Sequence, residues 1–564
     1  MRHDSPWVHG TLDHWAARQP DACALRLVSL DERPREISYR ALQSLTTGYA
    51  ARLKREQAPG TCLLTPDANP QAQLLECLGV IASGRCAAVP DPDWPPAVHQ
   101  QIVRYLAALN GHSPAGEQAR SVVQAGDTFD IPNHAGTGHE PFYIGFTSGS
   151  TGLPKGFRRH HRSWVESFRV SLADFGEQAA GHVLAPGRLS HSLFLFGALL
   201  GIWSGGGTTL QQRFSAEQVL ALLAGGKHPM MVAVPSQLIL MLAAARRRSL
   251  PPIPQLKLLL ISGARWAREH TRALRALFPA ARIITFYGAS ETSYVSWMDV
   301  NESAPVQAVG RPFSNVQLHV GETPDSPPDQ TGEPGRIWVR SPMLFTDYIN
   351  PDDDTAAVRH GDWLSVHDMG HLDEHGILHL CGRANRMIVT QAKNLFPEEV
   401  ESCLSAHPAI AQASVHGLAD EQRGHSVHAV VQLADAAGEA TPGPRELALW
   451  CQQHLERFKT PRHWWRWQGP WPQTASGKTD HARIAALLQA RLPAPSKAQA
   501  PARMPQPAPL EAPGPVEPWD SSGPAPAVGA IERLEAQEQG EALQPLTAQS
   551  VPSPSIRASA RPAR

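Results

Sequence analysis

The sequence predicts an α/β protein with a large N-terminal part, a smaller α+β part and an unstructured tail. Three observations predict it. Between Met230 and Gly288, short apolar runs alternate with amphipathic stretches, the rhythm of strand–helix–strand units that build parallel or mixed, doubly wound sheets. At 564 residues the chain is too long for a single core. The segment Pro493 to Arg564 holds 15 of the chain's 51 prolines with much Ala, Ser and Gln, and it lacks the apolar surface that offsets the entropy of ordering.

In chain order, ISYRALQSLTTGYAARLK places Leu42, Leu45, Tyr49 and Leu53 on one helical face. The run Phe142 to Phe146 reads as a strand. MMVAVP (230–235) is a second strand, after which Ser236 is expected to cap a helix through SQLILMLAAARR. KLLLIS (257–262) is another, followed by a helix bearing Leu274, Leu277 and Phe278, and then the strand ARIITFYG (281–288). In the smaller part, FPEEVESCLSAHP begins a helix at Pro397, with Glu398 and Glu399 complementing its N-terminus and Val400, Cys403 and Leu404 facing inward. Trp464, Trp465, Trp467 and Trp471 read as strand packing rather than base stacking. The tail, 493–564, is expected to be disordered apart from a short helix around Ala530 to Leu543.

Composition excludes several function classes. A net charge of −1 gives no reason to expect a nucleic-acid partner. The seven cysteines form no metal-ligating or CxxC pattern and fit a reducing, cytoplasmic setting. The N-terminus has no signal-like apolar core, and the longest apolar run, Leu193 to Trp203, is too short to span a bilayer. Only eight of the 51 basic residues are lysines, so a lysine inside a motif is informative.

The most informative stretch is FYIGFTSGSTGLPKG (142–156). A strand runs into a loop of small residues whose backbone N–H groups, from Ser148 through Gly149, Ser150 and Thr151 to Gly152, can turn inward as an anion nest. Thr147, Ser148, Ser150 and Thr151 add hydroxyls, and Lys155 adds a mobile point charge. The spacing differs from G-x-x-x-x-G-K-[ST] and so disfavours P-loop chemistry.

This loop resembles the phosphate loop of the adenylate-forming superfamily, which comprises acyl-CoA synthetases, peptide-synthetase adenylation domains and luciferases. Other motifs follow in that family's order, from about Ser38 to Ile484. FYGASE resembles the family's YGxTE. The resemblance implies that Tyr287 stacks on adenine, that Gly288, Ala289 and Ser290 line the nucleotide site, and that Glu291, with Thr147, holds Mg2+ against the phosphates. SGAR, with Gly263, resembles an adenine-contacting loop. HGDWLSVHDMGHLDEHGILHLCGR resembles the family's ribose-binding stretch and implies that Asp368, not Asp362, accepts from the ribose hydroxyls while Arg383 contacts ribose or phosphate. Val366-His367 stands where the family has Thr-Gly, a departure expected to alter the loop's backbone. PQTASGKTDHARI resembles the C-terminal signature, making Lys478 the mobile lysine that bridges carboxylate, α-phosphate and pyrophosphate.

By this resemblance the chain divides into an AMP-binding domain (1–382), a hinge (383–385), a small mobile domain (386–492) and the tail (493–564). The implied activity is ATP-dependent activation of a carboxylic acid to acyl-AMP, then transfer to a thiol. CoA is the expected acceptor, with phosphopantetheine on a separate acyl carrier protein as the alternative. A non-catalytic nucleotide-binding homologue is a further alternative, disfavoured by retention of Lys155, Lys478 and Glu291. LSHSLFLFGALLGIW (189–203) resembles the acyl-pocket stretch, with His191 as gate residue. It has no acidic side chain to pair a substrate ammonium, which implies a fatty or aryl acid. Thr390-Gln391-Ala392-Lys393 replaces a glycine-rich turn common in CoA-using relatives, which places the thiol step in question.

Overall fold

A computed structural model describes residues 5–29, 33–66, 69–110, 136–147, 154–327, 332–350, 355–390, 393–420, 423–434, 442–474, 478–491 and 516–518. The strand–helix alternation builds the parallel half of a fifteen-stranded sheet. Cys23–Val28, Thr208–Gln211, Val183–Ala185, Met230–Ala233, Leu258–Ile261 and Arg282–Ala289 lie in that order, each parallel to the next. All residues of Met230–Ala233 and Leu258–Ile261 are buried, as strands covered on both faces must be. Beyond Arg282–Ala289 the sheet becomes antiparallel, through Ser293–Asp299, Ala308–Pro312, Leu378–Arg383 and Asp368–Leu372.

A second sheet orders Asp347–Tyr348, Lys155–His160, Pro141–Thr147, Cys86–Ala88 and Thr61–Leu63. Helix Ser192–Ser204 packs on the large sheet and shares one apolar cluster with Phe142 and Tyr143 of the second sheet. Every residue from Leu193 to Ser204 is buried. The C-terminal carbonyls of this helix are satisfied by side chains from the start of the chain. Thr11 and the Trp15 indole each donate to the Trp203 carbonyl at 2.9 Å, Gln19 donates to Gly205, and the Tyr39 hydroxyl donates to Ile202. Gly205, at φ +89, turns the chain out of the helix.

The helix after Met230–Ala233 corrects one expectation. It spans Pro235–Arg247 with Val234, not Ser236, at its N-cap, and the Gln237 side chain accepts from the Val234 N–H at 3.3 Å. Pro235 fits the first helical position because its missing N–H needs no partner there.

In the smaller part, Ile410–Asp420, Gly424–Leu433 and His463–Trp467 form a sheet. Helices Pro397–Ser405 and Pro444–His454 share one apolar cluster with this sheet through Val400, Leu404, Leu447 and Cys451. Ile484 and Leu488 of helix His481–Arg491 share a second cluster with Val430, Trp465 and Trp467. Of the tail, only Val516–Pro518 is described, and its backbone pairs antiparallel with Trp465–Trp467 rather than standing as open chain. The expected helix around Ala530 to Leu543 lies outside the described residues. Among the described residues, no helix is long and apolar enough to cross a membrane.

Candidate active site

The expected anion nest, Ser148 to Gly152, lies outside the described residues, but both of its ends are described. Thr147 closes strand Pro141–Thr147, and its hydroxyl reaches the Lys155 carbonyl at 3.4 Å. Lys155 opens strand Lys155–His160, with its ammonium over the Tyr348 ring, 3.5 Å from the centroid.

Strand Arg282–Ala289 delivers the next group. Gly288 is required there, because a Cβ would meet the Ser293 carbonyl at 1.9 Å. Tyr287 donates to the Asp368 carboxylate at 2.5 Å, and Arg383 Nε donates to the other oxygen of that carboxylate at 3.2 Å. Asp368 is 6 % exposed, so its charge depends on these two partners. Burial and the Asp368 charge hold the Tyr287 phenol well above its ordinary pKa. Of the two aspartates weighed for the ribose role, Asp368 thus joins Tyr287 and Arg383, while Asp362 sits in an exposed turn. Just beyond, the Ala289 N–H donates to the Thr292 hydroxyl at 2.9 Å. The Glu291 carboxylate accepts from the Tyr348 hydroxyl at 2.8 Å.

At the Val366-His367 departure, His367 has a left-handed backbone, φ +63, which a glycine adopts without strain and a histidine holds at a steric cost. His367→Gly is expected to raise the unfolding free energy by about 1 kcal/mol, net of glycine's own entropy, as a denaturant midpoint would measure.

His191 is the N-cap residue of helix Ser192–Ser204, and its Nδ1 is buried with no hydrogen-bond partner among the described residues. It borders Gly263, whose added Cβ would lie 3.8 Å from His191 Cε1, and Gly263 takes φ +87. Burial first, then the charge of Lys478, lowers the His191 pKa to about 4, so its ring is neutral at pH 7. Lys478 is exposed, yet the protein around its ammonium and the Arg383 charge lower its pKa, while Asp368 raises it. Two groups thus form: Lys155 and Glu291 share Tyr348, while Asp368 and Arg383 are paired and their charges, with that of Lys478, act on one another. Among the described residues, no group of three or more His, Cys, Asp and Glu side chains converges on a metal. Glu291 and the Thr147 hydroxyl supply hard oxygen donors, and so small a set fits a Mg2+ ion that arrives already bound to phosphates.

Sequence reasoning missed Arg159 and Tyr348. Arg159, 1 % exposed, donates to the Ser290 carbonyl at 2.6 Å and to the Met343 carbonyl, fastening the Glu291 turn to the strand that follows the phosphate loop. It stands in a run, RRHHR, in which nothing local marks one arginine from another. Between the two parts of the chain, Arg265 donates to the Ser402 hydroxyl at 2.6 Å, and within the smaller part Arg386 binds Glu398 and Glu401 at 3.0 and 2.6 Å.

Comparison with known proteins agrees with this layout. Residues 12–349 match the AMP-binding enzyme family, and residues 399–478 match the AMP-binding enzyme C-terminal domain. An uncharacterized acyl-CoA ligase of Bacillus subtilis, YhfT, is 36 % identical over 353 residues, covering 62 % of this chain and 69 % of that protein. A putative long chain fatty acid-CoA ligase of Staphylococcus epidermidis, VraA, is 28 % identical over 65 % of this chain and 78 % of its own length. The fold matches o-succinylbenzoate CoA synthetase from Bacillus subtilis, solved with its acyl-adenylate, at a TM-score of 0.67 and 22 % identity over 84 % of this chain and 97 % of that one. The chain is therefore an enzyme of the AMP-binding family, within the adenylate-forming superfamily.

Proposed function

We propose that this enzyme activates a fatty or aryl carboxylic acid with ATP and passes the acyl group to CoA. The carboxylate oxygen attacks the α-phosphorus, the bond to the pyrophosphate oxygen breaks, and acyl-AMP and pyrophosphate form. The CoA thiol then attacks the acyl carbon, and AMP leaves. The observation that carries the reading is the buried Asp368 carboxylate held by Tyr287 and by Arg383 of the hinge, close enough to Lys478 of the small domain for their charges to act on one another.

In this reading the chain divides at the sequence-expected boundaries, with 383–385 as hinge between 1–382 and 386–492, and 493–564 as tail. Tyr287, Gly288, Ala289, Ser290 and Gly263 line the nucleotide, and Asp368 and Arg383 hold its ribose end. Thr147, Lys155 and the loop Ser148 to Gly152 take the phosphates. Glu291 and Thr147 hold Mg2+, which when bound neutralises charge on the phosphate oxygens. Lys478 neutralises charge on the oxygens around the reacting phosphorus, and no enzymatic nucleophile is required, so catalysis is positioning plus preorganised charge.

The body of helix Ser192–Ser204 is core. Substrate choice therefore rests on its first turn, where neutral His191 meets Gly263 and no carboxylate on that turn awaits an ammonium. The named activities of the relatives above, fatty acid-CoA and o-succinylbenzoate-CoA ligation, support an apolar or aryl acid and CoA. The altered turn Gln391-Ala392 lies outside the described residues.

A pyrophosphate-exchange screen tests the proposal. Fatty or aryl acids are expected to drive exchange, α-amino acids are not, and added CoA is expected to convert trapped acyl-AMP to thioester. Exchange with amino acids alone overturns the substrate assignment, and thioester formation only on a carrier protein overturns CoA.

A further inference from the structure

We propose that Tyr348 is a positioning residue for the phosphate end of the nucleotide, its ring holding the Lys155 ammonium and its hydroxyl holding the Glu291 carboxylate. The inference rests on the adenylation reading above. Two residues with opposite charges, from motifs far apart in sequence, use different parts of one side chain. Lys155 Nζ lies 3.5 Å from the ring centroid, and the Tyr348 hydroxyl donates to Glu291 Oε1 at 2.8 Å. A phenol that donates to a carboxylate is polarised toward a more negative ring, so each contact strengthens the other.

The side chain is itself held firmly. Strand Asp347–Tyr348 pairs with Lys155–His160, and Arg158 makes a two-pronged contact with Asp347 at 2.8 and 2.5 Å. The Ile349 N–H donates to the Gly156 carbonyl at 2.9 Å, and the Gly156 N–H donates to Asn350 Oδ1 at 2.8 Å. Only glycine allows this approach, since a Cβ at Gly156 would lie 2.5 Å from Ile349 Cγ1. The Tyr348 N–H donates to the Thr355 hydroxyl at 3.0 Å. The ring keeps the Lys155 ammonium in place as a phosphate arrives, because an ammonium can rest one side on a ring while it meets an anion with another. Glu291 remains tethered and keeps its orientation toward the Mg2+ that accompanies the nucleotide.

Two variants of the full chain separate the two roles. Calorimetric titration with ATP is run in EDTA and in Mg2+, beside melting temperatures. Tyr348→Phe keeps the ring, so ATP binding in EDTA stays near wild type, while the gain in affinity from Mg2+ falls about tenfold, the scale of one hydrogen bond to a charged group. Tyr348→Leu loses both contacts, and binding falls several-fold even in EDTA. In pyrophosphate exchange, Tyr348→Phe raises the Mg2+ requirement without moving KM for the acid. If wild-type protein binds MgATP and Tyr348→Phe shows the wild-type Mg2+ gain, the inference is overturned alone. Equal losses with and without Mg2+, tracking a lower melting temperature, overturn it too, since they mark a merely structural tyrosine. Wild-type protein that binds no MgATP overturns the adenylation reading and this inference with it.

Discussion

Lys478→Ala is expected to slow acyl-AMP formation by about 10²–10³ while leaving ATP bound, because one preorganised charge at a developing anion contributes on that scale. Nucleotide affinity persists because Tyr287, Asp368 and Arg383 form their own network without the lysine. The substitution carries a second readout that does not depend on turnover. The Lys478 charge is one of the causes that lower the His191 pKa, so its removal is expected to move that imidazole back toward the ordinary value in an NMR titration. Full adenylation activity in the variant would falsify the role given to Lys478.

Mild acid is expected to unfold this protein steeply. Burial lowers the pKa of His161 well below 6.5, that of His428 to about 4, and that of His228 by a smaller amount, and all three are 1–3 % exposed. A histidine with a depressed folded-state pKa costs nothing above pH 6.5, where both states are neutral. As pH falls below 6.5 the unfolded chain takes up protons that the folded chain refuses, and stability is lost until the folded-state pKa is reached. The protons of His161 and His428 correspond to about 3 kcal/mol per pH unit between roughly pH 5.5 and 4.5, and His228 adds to the slope at its upper end. His9, His160, His182, His416 and His481 are lowered for the same first reason and add to the slope. Denaturant midpoints measured from pH 7.5 to 4.5 check this, and a flat profile through that window would contradict it.

The parallel half of the fold was legible because strands buried on both faces are written as unbroken apolar runs, such as MMVA and LLLI. Motif residues such as Thr147, Tyr287 and Arg383 were marked because they stand near the ends of strands. What stayed hidden depends on distant partners. Arg159 acts on a carbonyl 131 residues away, and the clamp between Arg158 and Asp347 spans 189. No local pattern encodes either. Apolarity identified helix Ser192–Ser204 but could not distinguish a helix buried in the core from one lining a substrate pocket. The histidine at position 367 was visible, yet only the backbone reveals that it takes a left-handed conformation. The strand at Val516–Pro518 escaped because composition says nothing about a neighbouring sheet edge with which a short segment can pair.

Mechanically, helix Ser192–Ser204 is a beam about 20 Å long, clamped at one end and loaded at the other. Thr11, Trp15, Gln19 and Tyr39 anchor its far end through the carbonyls of residues 202, 203 and 205, and His191 sits at the near end beside Gly263. A loosened anchor at Thr11 or Trp15 would be felt at His191 as a change of reach, although neither residue lies near the acid. With His191 in its proposed role at the acid, efforts to retune which acid is accepted have two handles, the loaded tip and the remote clamp, and a library confined to the tip would sample only the first.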